Sequence, residues 1–259
     1  MGILNLTPDS FSDGGDLATP TAALARARQM TAAGADWLDI GGESTRPGAA
    51  PVSEDEELRR VIPAIEAVRA ATPTPISIDT MKPAVARAAV AAGATMWNDV
   101  SALRAPGAPE AAAELGCEVV LMHMQGTPAT MQDDPRYGDV VAEVAAFLAA
   151  RAEAAMAAGV SADRIWLDPG FGFGKTPAHN LALLRSLDRM VGLGFPVVVG
   201  LSRKGWIRAL DPAATQSSDR MGGSLALALA AVRSGAAMIR AHDVRETAQA
   251  LLADAAVHG

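Results

Sequence analysis

Short apolar segments recur along the chain, and each is followed by an alanine-rich segment of helical length. The apolar segments are continuous rather than alternating, which is typical of strands buried on both faces. Helix signals lie between them: Ser53 followed by Glu56 resembles a capping box, and Pro20 and Pro83 suit the first turn of a helix. The predicted strands are 2–6, 37–42, 75–80, 95–100, 118–124, 164–170, 195–202 and 236–242.

These eight strand–helix units follow one another without a linker. Alternating strands and helices predict a parallel sheet, and eight units in 259 residues predict an α/β fold, a single (β/α)8 TIM barrel. An open doubly wound sheet is the alternative, but it rarely uses eight such even units. We expect one domain, residues 1–259, with its active site at the C-terminal ends of the strands. Because the first strand begins at residue 2, we expect nothing to plug the lower end of the barrel.

Composition narrows the classes of function. The formal net charge of −7 argues against a surface for nucleic acid or for an anionic membrane, because both attract a basic face. No uncharged apolar segment approaches the ~20 residues of a spanning helix, and the first residues do not resemble a signal peptide. Cys117 is the only cysteine, so no intramolecular disulfide forms. We expect a cytoplasmic protein that binds neither nucleic acid nor membrane.

Polar residues stand at the C-terminal ends of the predicted strands. They are Asn5, Asp39, Asp79, Asn98, Asp168, Lys204, Arg240 and His242. An aspartate after a strand is more often a helix cap than a ligand, but chance is a poor explanation for eight polar residues at corresponding ends. Buried carboxylates and amides need hydrogen-bond partners, so Asp79, Asn98 and Asp168 suit a flat heterocycle with an amino-pyrimidinone edge.

The cationic members of this set suit an anion. Arg240 and His242 lie at the last strand, with Asn5 nearby where the barrel closes, and phosphate sites in TIM barrels gather at strands seven and eight. We therefore expect a phosphate or diphosphate there, and the composite ligand is a heterocycle with a phosphorylated arm.

The stretch DPGFGFGKT, which begins at Asp168, resembles a phosphate-binding loop but departs from it. The pattern G-x-x-x-x-G-K-[ST] needs glycine where Pro169 stands, and proline has no backbone N–H for a phosphate. We interpret Asp168 as a ring acceptor, with Phe171 and Phe173 as walls for a flat ligand and with glycines that keep the backbone close. Lys175 is expected to be a solvated residue at a helix start. The alternative is a glycine-rich surface loop with its phenylalanines in the core.

Together these residues resemble the dihydropteroate synthase family over nearly the whole chain. The matching stretches, in order, are MGILNLTPDSFSDGG, DIGGESTRPG, SIDT, NDV, MHMQGTP, DPGFGFGK, GLSRK and RAHDV. The resemblance implies a cytoplasmic folate-pathway enzyme, usually a homodimer, with Mg²⁺ as cofactor. It implies condensation of 6-hydroxymethyl-7,8-dihydropterin pyrophosphate with p-aminobenzoate to give 7,8-dihydropteroate and pyrophosphate.

The resemblance also implies roles for individual residues. The pterin contacts are Asp39, Asp79, Asn98, Met122, Asp168, Phe173 and Lys204. The diphosphate contacts are Asn5, Thr45, Arg240 and His242, and Asn5 is also the Mg²⁺ ligand. The p-aminobenzoate contacts are Phe11, Arg46, Pro47, Ser202 and Lys204. The residues implied in catalysis are Asp13, Lys204, Arg240 and His242, with Asp13 in a first loop that folds over the reacting centre.

Two departures from the family pattern are visible. The family usually has residues ahead of MGILN, and it commonly has serine or a basic residue where Gly205 follows GLSRK. Two alternatives share the pterin site: a methyltransferase, which needs no diphosphate grip, and a non-catalytic pterin-binding paralogue. A Schiff-base enzyme acting through Lys204 is a third, but no acid–base partner is evident. Zinc is not expected, because the four histidines lack ligand spacing.

Overall fold

The computed structural model describes residues 1–7, 19–46 and 48–258, and within these ranges strands and helices alternate along the chain. The strands are β1 (Gly2–Asn5), β2 (Leu38–Gly41), β3 (Ile76–Asp79), β4 (Met96–Asp99), β5 (Glu118–Met122), β6 (Ile165–Asp168), β7 (Val198–Val199) and β8 (Met238–Ile239). The helices are α1 (Pro20–Ala32), α2 (Glu54–Ala71), α3 (Pro83–Ala91), α4 (Ala108–Leu115), α5 (Val140–Ala157), α6 (Pro177–Arg185), α7 (Asp188–Val191), α8 (Met221–Arg233) and α9 (Val244–His258).

The strands close into a barrel. Strands β1 to β6 form one parallel sheet in chain order, and β7 pairs with β8. A parallel bridge between Leu167 and Val197 joins the two sheets on one side, and a bridge between Gly2 and Ala241 joins them on the other. At this second seam the Ile3 backbone N–H donates to the carbonyl of Ala241 at 3.0 Å. The predicted (β/α)8 barrel is therefore confirmed, whereas the assignment of residues 1–259 to one domain stays a prediction.

Each strand lies inside its predicted segment but is shorter, and the last two have only two residues each. Beyond β7 and β8 the two segments no longer pair as parallel strands. The backbone N–H of His242 donates to the Ser202 hydroxyl at 3.2 Å rather than to a strand carbonyl. At Arg203 the backbone is left-handed, with φ of 58°, which no strand adopts. The two strands therefore end early because their extensions belong to loops.

Local signals explain where several helices begin. The Ser53 hydroxyl accepts a hydrogen bond from the backbone N–H of Glu56, as the sequence pattern predicts, and four acidic residues fill the first turn of α2. Pro20 and Pro83 are the first residues of α1 and α3, where a missing N–H costs nothing.

Side-chain alternation along the strands separates an apolar layer from a polar one inside the barrel. The lower interior is filled by a small apolar cluster: Met96, Val120 and Val198, with Trp166 and Met238 packed against it. Successive side chains point to opposite faces, so residues two positions apart share a face. Two positions beyond Met96, Trp166 and Met238 stand Asn98, Asp168 and Arg240. The strand period alone therefore brings polar side chains to the C-terminal mouth.

The remaining helices of the described chain surround this barrel. Within residues 1–7, 19–46 and 48–258, no helix is both long enough and apolar enough to cross a membrane.

Candidate active site

A cavity opens at the C-terminal ends of the strands. It is lined by Thr45, Asp79, Asn98, Val100, Met122, Asp168, Phe171, Phe173, Gly200, Lys204 and Arg240. Seven of these lining residues were singled out from the sequence as strand-end or wall groups of one ligand site. The structure thus brings together residues that are far apart in the chain.

A larger cavity of about 530 Å³ lies at the opposite end of the barrel, beside Cys117 and Trp166. There the Trp166 indole N–H donates to the Glu118 carboxylate. The Cys117 thiol is buried, and burial raises its pKa to about 11, which leaves it a poor nucleophile. We place the functional site at the C-terminal mouth, where the unlike charges converge.

Arg240 lies between two aspartates at the centre of the mouth. Its Nε donates to Asp39 Oδ2 at 2.5 Å, and its Nη2 donates to Asp79 Oδ2 at 2.7 Å. Burial alone would lower the pKa of Arg240, but the two carboxylates raise it above its ordinary value. Asn98 Nδ2 donates to the same Asp39 oxygen at 3.2 Å. Arg240 therefore holds the acidic groups of the site in place while staying charged.

The single cation Arg240 does not offset the full cost of burying the acidic groups. Burial raises the pKa of Asp79 to about 7, with a contribution from the charge of Asp39, although Arg240 acts in the opposite direction. The second oxygen of Asp39, Oδ1, is buried without a hydrogen-bond partner among the described residues. Such groups are costly in an apolar interior unless a ligand supplies donors. The mouth is therefore suited to a ligand with several N–H groups.

The adjacent residue Asp99 has a different role. Its carboxylate accepts hydrogen bonds from the backbone N–H groups of Ser101 and Leu103 at 2.7 and 2.8 Å, so it shapes the loop after β4. As strand alternation predicts, only Asn98 of this pair faces the mouth.

Asp168 and Lys204 form the other side of the cavity. Asp168 Oδ1 accepts a hydrogen bond from the Gly170 backbone N–H at 2.7 Å, and burial raises the pKa of this carboxyl. Lys204 Nζ lies 4.4 Å from the centre of the Phe173 ring. Burial lowers the pKa of Lys204 to about 8, although Asp168 raises it. A carboxyl group, an amine and an aromatic face therefore share one wall.

Lys175 contradicts the expectation that it is a solvated residue. Its side chain is only 2% exposed, and its Nζ contacts His123 Nδ1 at 2.9 Å. It also donates to the carbonyl oxygens of Gly170 and Phe173 at 2.9 and 3.0 Å. The glycine-rich loop folds back on itself and points these carbonyls inward, which the sequence pattern alone did not reveal. Lys175 is a buried cross-link of the loop.

Gly170 occupies the tightest point of this loop. Its φ of 69° lies in the left-handed region, and a Cβ added there would overlap the carbonyl oxygen of His123. Gly107 has a similar φ of 73° but faces open space. Alanine substitutions at the two glycines therefore distinguish the effect of backbone strain from that of steric overlap.

We expect Gly170→Ala to destabilise the protein more than Gly107→Ala does. The control substitution incurs only left-handed strain of ~1–2 kcal/mol, whereas Gly170→Ala adds overpacking of about 2 kcal/mol or more. Urea denaturation of both variants measures the difference. Equal destabilisation would show that the loop moves freely away from His123.

Ser202 and His242 lie beside the cavity rather than in its lining. His242 Nδ1 is 3.1 Å from the Ser202 hydroxyl oxygen. Burial, followed by the charge of Arg240, lowers the pKa of His242 to about 3, so the imidazole is neutral at neutral pH. An ion pair between Arg203 and Asp243, at 2.5 Å, ties the two loops together. As strand alternation predicts, Arg203 points away from Lys204.

The loop after β2 is held by a buried ion cluster that sequence reasoning missed. Lys82 Nζ pairs with Glu43 at 2.7 Å and with the fully buried Glu57 at 2.5 Å. The other oxygen of Glu43 accepts a hydrogen bond from the Val52 backbone N–H at 2.9 Å, which closes the loop. Glu57 lies in the first turn of α2, where an acidic residue is ordinarily expected to be exposed and to interact with the helix dipole. The sequence therefore carried no sign that this glutamate is buried.

This loop carries two of the predicted contacts, and they differ in position. Thr45 lines the cavity, whereas the Arg46 side chain is exposed and does not line it. Asn5 ends β1 beside Gly41 and is half-buried. Phe11, Asp13 and Pro47 lie outside the described residues.

The described residues do not include a cluster of side chains for the predicted metal ion. Among residues 1–7, 19–46 and 48–258, no group of three or more His, Cys, Asp or Glu side chains is arranged to hold a metal ion.

Comparisons with known proteins agree with this geometry. A family model for pterin binding enzymes matches residues 1–242. Dihydropteroate synthase of Escherichia coli (strain K12) is 49% identical over 251 residues, which cover 97% of this chain and 88% of that protein.

Solved structures give the same result. The dihydropteroate synthase of Xanthomonas albilineans with 4-aminobenzoic acid superposes with a TM-score of 0.94 and 54% identity, covering 100% of this chain and 92% of that one. The Xanthomonas albilineans enzyme in complex with 7,8-dihydropteroate has a TM-score of 0.90 and 50% identity, covering 100% of this chain and 93% of that one. The resemblance seen in the sequence motifs is confirmed. The chain belongs to the pterin binding enzyme family and, within it, to the dihydropteroate synthases.

Proposed function

We propose that the protein condenses 6-hydroxymethyl-7,8-dihydropterin pyrophosphate with p-aminobenzoate, giving 7,8-dihydropteroate and pyrophosphate. One observation carries the proposal: Asp79, Asn98, Asp168, Lys204 and Arg240 share one buried cavity at the C-terminal mouth of the barrel. Family membership at about half sequence identity supports the same activity.

The pterin ring is bound by the acidic side of this cavity. Its 2-amino group and ring N–H are donors, and carboxylate and amide oxygens of Asp79, Asn98 and Asp168 accept from them. Asp39 lies behind, bonded to Arg240 and Asn98. Met122 and Phe173 are the proposed walls for the ring, with Lys204 above it, and all three residues line the cavity. Binding the ring satisfies acceptors that are otherwise buried at a cost.

The diphosphate is bound on the other side by Thr45, Arg240 and His242. Arg240 is the permanent charge of this group, since its two aspartates raise its pKa. His242 is neutral, so it contributes a hydrogen bond rather than a charge. This division matches the asymmetry of the substrate, which is uncharged at the ring and anionic at the arm.

Asn5 is the proposed protein ligand of Mg²⁺. The half-buried amide stands at the C-terminal end of β1, and the mouth offers no three-residue acidic or histidine cluster within the described ranges. This fits Mg²⁺, which keeps several waters and takes few protein ligands in addition to substrate phosphates. When bound, Mg²⁺ neutralises charge that develops on the departing pyrophosphate.

The reaction needs no protein nucleophile. The amine of p-aminobenzoate is weakly nucleophilic, so the bond between the pterin methylene carbon and the phosphate oxygen breaks first, and its electron pair leaves with pyrophosphate. Arg240 stabilises that leaving group, and the dihydropterin ring delocalises the positive charge on the methylene carbon. The amine then forms the new C–N bond and loses a proton. Asp13 is the residue proposed to stabilise the cation.

The p-aminobenzoate is proposed to lie over the ring pocket, between the two loops that border it. Its contacts are Phe11, Arg46, Pro47, Ser202 and Lys204. The exposure of Arg46 leaves its guanidinium available to a carboxylate, and Ser202 is kept in place by His242. Closure of the first loop would keep water from capturing the cation.

A coupled pyrophosphate-release assay tests the function. With both substrates and Mg²⁺ we expect one pyrophosphate per dihydropteroate, and with the dihydropterin substrate alone we expect far less. Pterin binding without pyrophosphate release would favour a non-catalytic paralogue. Calorimetry that detects no pyrophosphate binding in the presence of Mg²⁺ would favour a methyltransferase.

We expect Asn5→Ala to raise the Mg²⁺ concentration that gives half-maximal activity, because the only proposed protein ligand is removed. The measurement is a Mg²⁺ titration of pyrophosphate release at saturating substrates. Pterin affinity without Mg²⁺ serves as the control and is expected to stay unchanged. An unaltered Mg²⁺ requirement would remove Asn5 from the site.

We also propose that the protein is a cytoplasmic homodimer without nucleic-acid or membrane partners, as the family resemblance implies. Leu252 and Val257 on α9 are 73% and 74% exposed, so apolar surface is available for self-association. Sedimentation velocity over a range of concentrations tests this proposal.

A further inference from the structure

Lys175 is an unusual residue for the interior of the barrel mouth. Its ammonium nitrogen contacts four acceptors: His123 Nδ1 at 2.9 Å, the Gly170 carbonyl at 2.9 Å, the Phe173 carbonyl at 3.0 Å and the His123 carbonyl at 3.3 Å. All four are uncharged groups. Burial lowers the pKa of Lys175 to about 7, although the charge of Asp168 raises it. A buried amine carries a desolvation cost that an apolar side chain would not have.

The geometry satisfies the donors of this lysine. A lysine ammonium has three N–H groups, and the three nearest acceptors lie at ordinary hydrogen-bond distances. These acceptors belong to two different walls of the cavity. His123 follows β5, whereas Gly170 and Phe173 belong to the loop after β6. Lys175 therefore fixes the distance between the two walls.

Each wall segment that Lys175 holds carries a residue of the ligand cavity. The Gly170 backbone N–H donates to Asp168 Oδ1 at 2.7 Å. The Phe173 ring lies below the Lys204 ammonium, with 4.4 Å between the nitrogen and the ring centre. His123 directly follows Met122, which lines the cavity. A shift of the Lys175 nitrogen therefore displaces a carboxylate acceptor and two apolar walls at once.

We propose that Lys175 is a positioning residue for the pterin half of the site, acting through the backbone carbonyls of Gly170 and Phe173. This inference rests on the proposed function, because it assigns Asp168, Met122 and Phe173 to the pterin ring. It predicts an effect on the dihydropterin substrate rather than on p-aminobenzoate, since none of the residues to which Lys175 bonds is a proposed p-aminobenzoate contact.

The loop offers a matched control. The Tyr137 hydroxyl donates to the carbonyl of Gly174 at 2.7 Å, so it binds the same loop close to Lys175 in sequence. Gly174 does not line the cavity. Tyr137→Phe thus removes one hydrogen bond from the loop without releasing Gly170 or Phe173.

The experiment compares Lys175→Met with Tyr137→Phe. For Lys175→Met we expect the KM for dihydropterin pyrophosphate to rise about tenfold or more, because buried carbonyls lose their donor and the acceptor geometry relaxes. The KM for p-aminobenzoate, measured at saturating dihydropterin pyrophosphate, is expected to stay within about twofold of wild type. For Tyr137→Phe we expect both constants to stay within about twofold.

Lys175→Gln is a second variant that keeps the proposal testable if Lys175→Met does not fold. It retains two N–H donors on a side chain one atom shorter, so we expect an intermediate KM for dihydropterin pyrophosphate. Fluorescence titration with 6-hydroxymethylpterin gives the ring affinity without turnover and is expected to weaken in the same order. An unchanged ring affinity in the lysine variants, or an equal loss in Tyr137→Phe, would overturn the proposal. Wild-type protein that binds the pterin without releasing pyrophosphate would instead refute the proposed function.

Discussion

Arg240→Met is expected to lower the free energy of unfolding by about 3–5 kcal/mol at neutral pH, because removing one partner leaves buried carboxylates without a counter-charge. Asp39 and Asp79 both bond to this guanidinium, and both are buried. Pyrophosphate release is expected to fall below detection, since the permanent cation of the diphosphate side is also lost. Urea denaturation and the coupled assay measure the two effects.

The stability deficit of Arg240→Met is expected to shrink as the pH falls. In the wild type the pKa of Asp79 is already raised to about 7, and removal of Arg240 raises it further because the arginine lowers it. A carboxyl with a raised folded-state pKa binds more protons when folded, so its contribution to stability is lost as the pH rises through that pKa. Denaturation at pH 5 should therefore show a smaller difference from wild type than denaturation at pH 8.

Arg233→Met is the matched control for this prediction. Arg233 also pairs with an aspartate, Asp254, but its side chain is 55% exposed on the outer helices. Water screens such a pair, so we expect a far smaller change in stability and no pH dependence of the difference. Equal losses in the two arginine variants would mean that the Arg240 cluster is solvated rather than buried.

Asp168→Asn is expected to weaken pterin binding by ~2–4 kcal/mol, because one oxygen is replaced by an NH₂ group that opposes the donors of the ring edge. The fold should be retained. The asparagine oxygen can still accept the hydrogen bond that Asp168 Oδ1 receives from the Gly170 backbone N–H. Fluorescence titration with 6-hydroxymethylpterin gives the affinity, and thermal unfolding checks that the loop is intact.

Asp163→Asn provides the comparison for Asp168→Asn. Asp163 stands just before the start of β6, at the far end of the barrel from the proposed ring site. We expect its pterin affinity to equal that of wild type. Undiminished pterin binding in Asp168→Asn would move the ring out of the proposed pocket.

Much of the fold follows from local patterns. Leu38 and Ile40 are fully buried toward the helices, and Asp39 between them points into the barrel, as the two-residue period of a strand requires. The same period on β4 sends Asn98 to the mouth and leaves Asp99 to cap a loop. Such local rules were enough to predict the closed barrel and most of the residues that line its mouth.

Contacts between distant residues could not be predicted in this way. The side chain of Arg240 bonds to residues 201 and 161 positions away. The sequence suggested an anion for this arginine, but it could not show that the two aspartates bind it. The prediction for Lys175 is wrong for a related reason, because its acceptors include backbone carbonyls of a loop with three left-handed glycines, Gly170, Gly172 and Gly174. Pattern reasoning identifies side chains, but it does not orient carbonyl groups.

The pairing of Arg240 with two aspartates has a consequence for inhibitor design. This arginine stays charged but is already paired with two carboxylates of the protein, so an incoming acidic group must compete with them. A compound that only directs an acid at Arg240 exchanges one ion pair for another and leaves the aspartates without their hydrogen-bond donor. A tighter binder would also offer an N–H group to Asp79, which lines the cavity, and would replace the arginine as its partner.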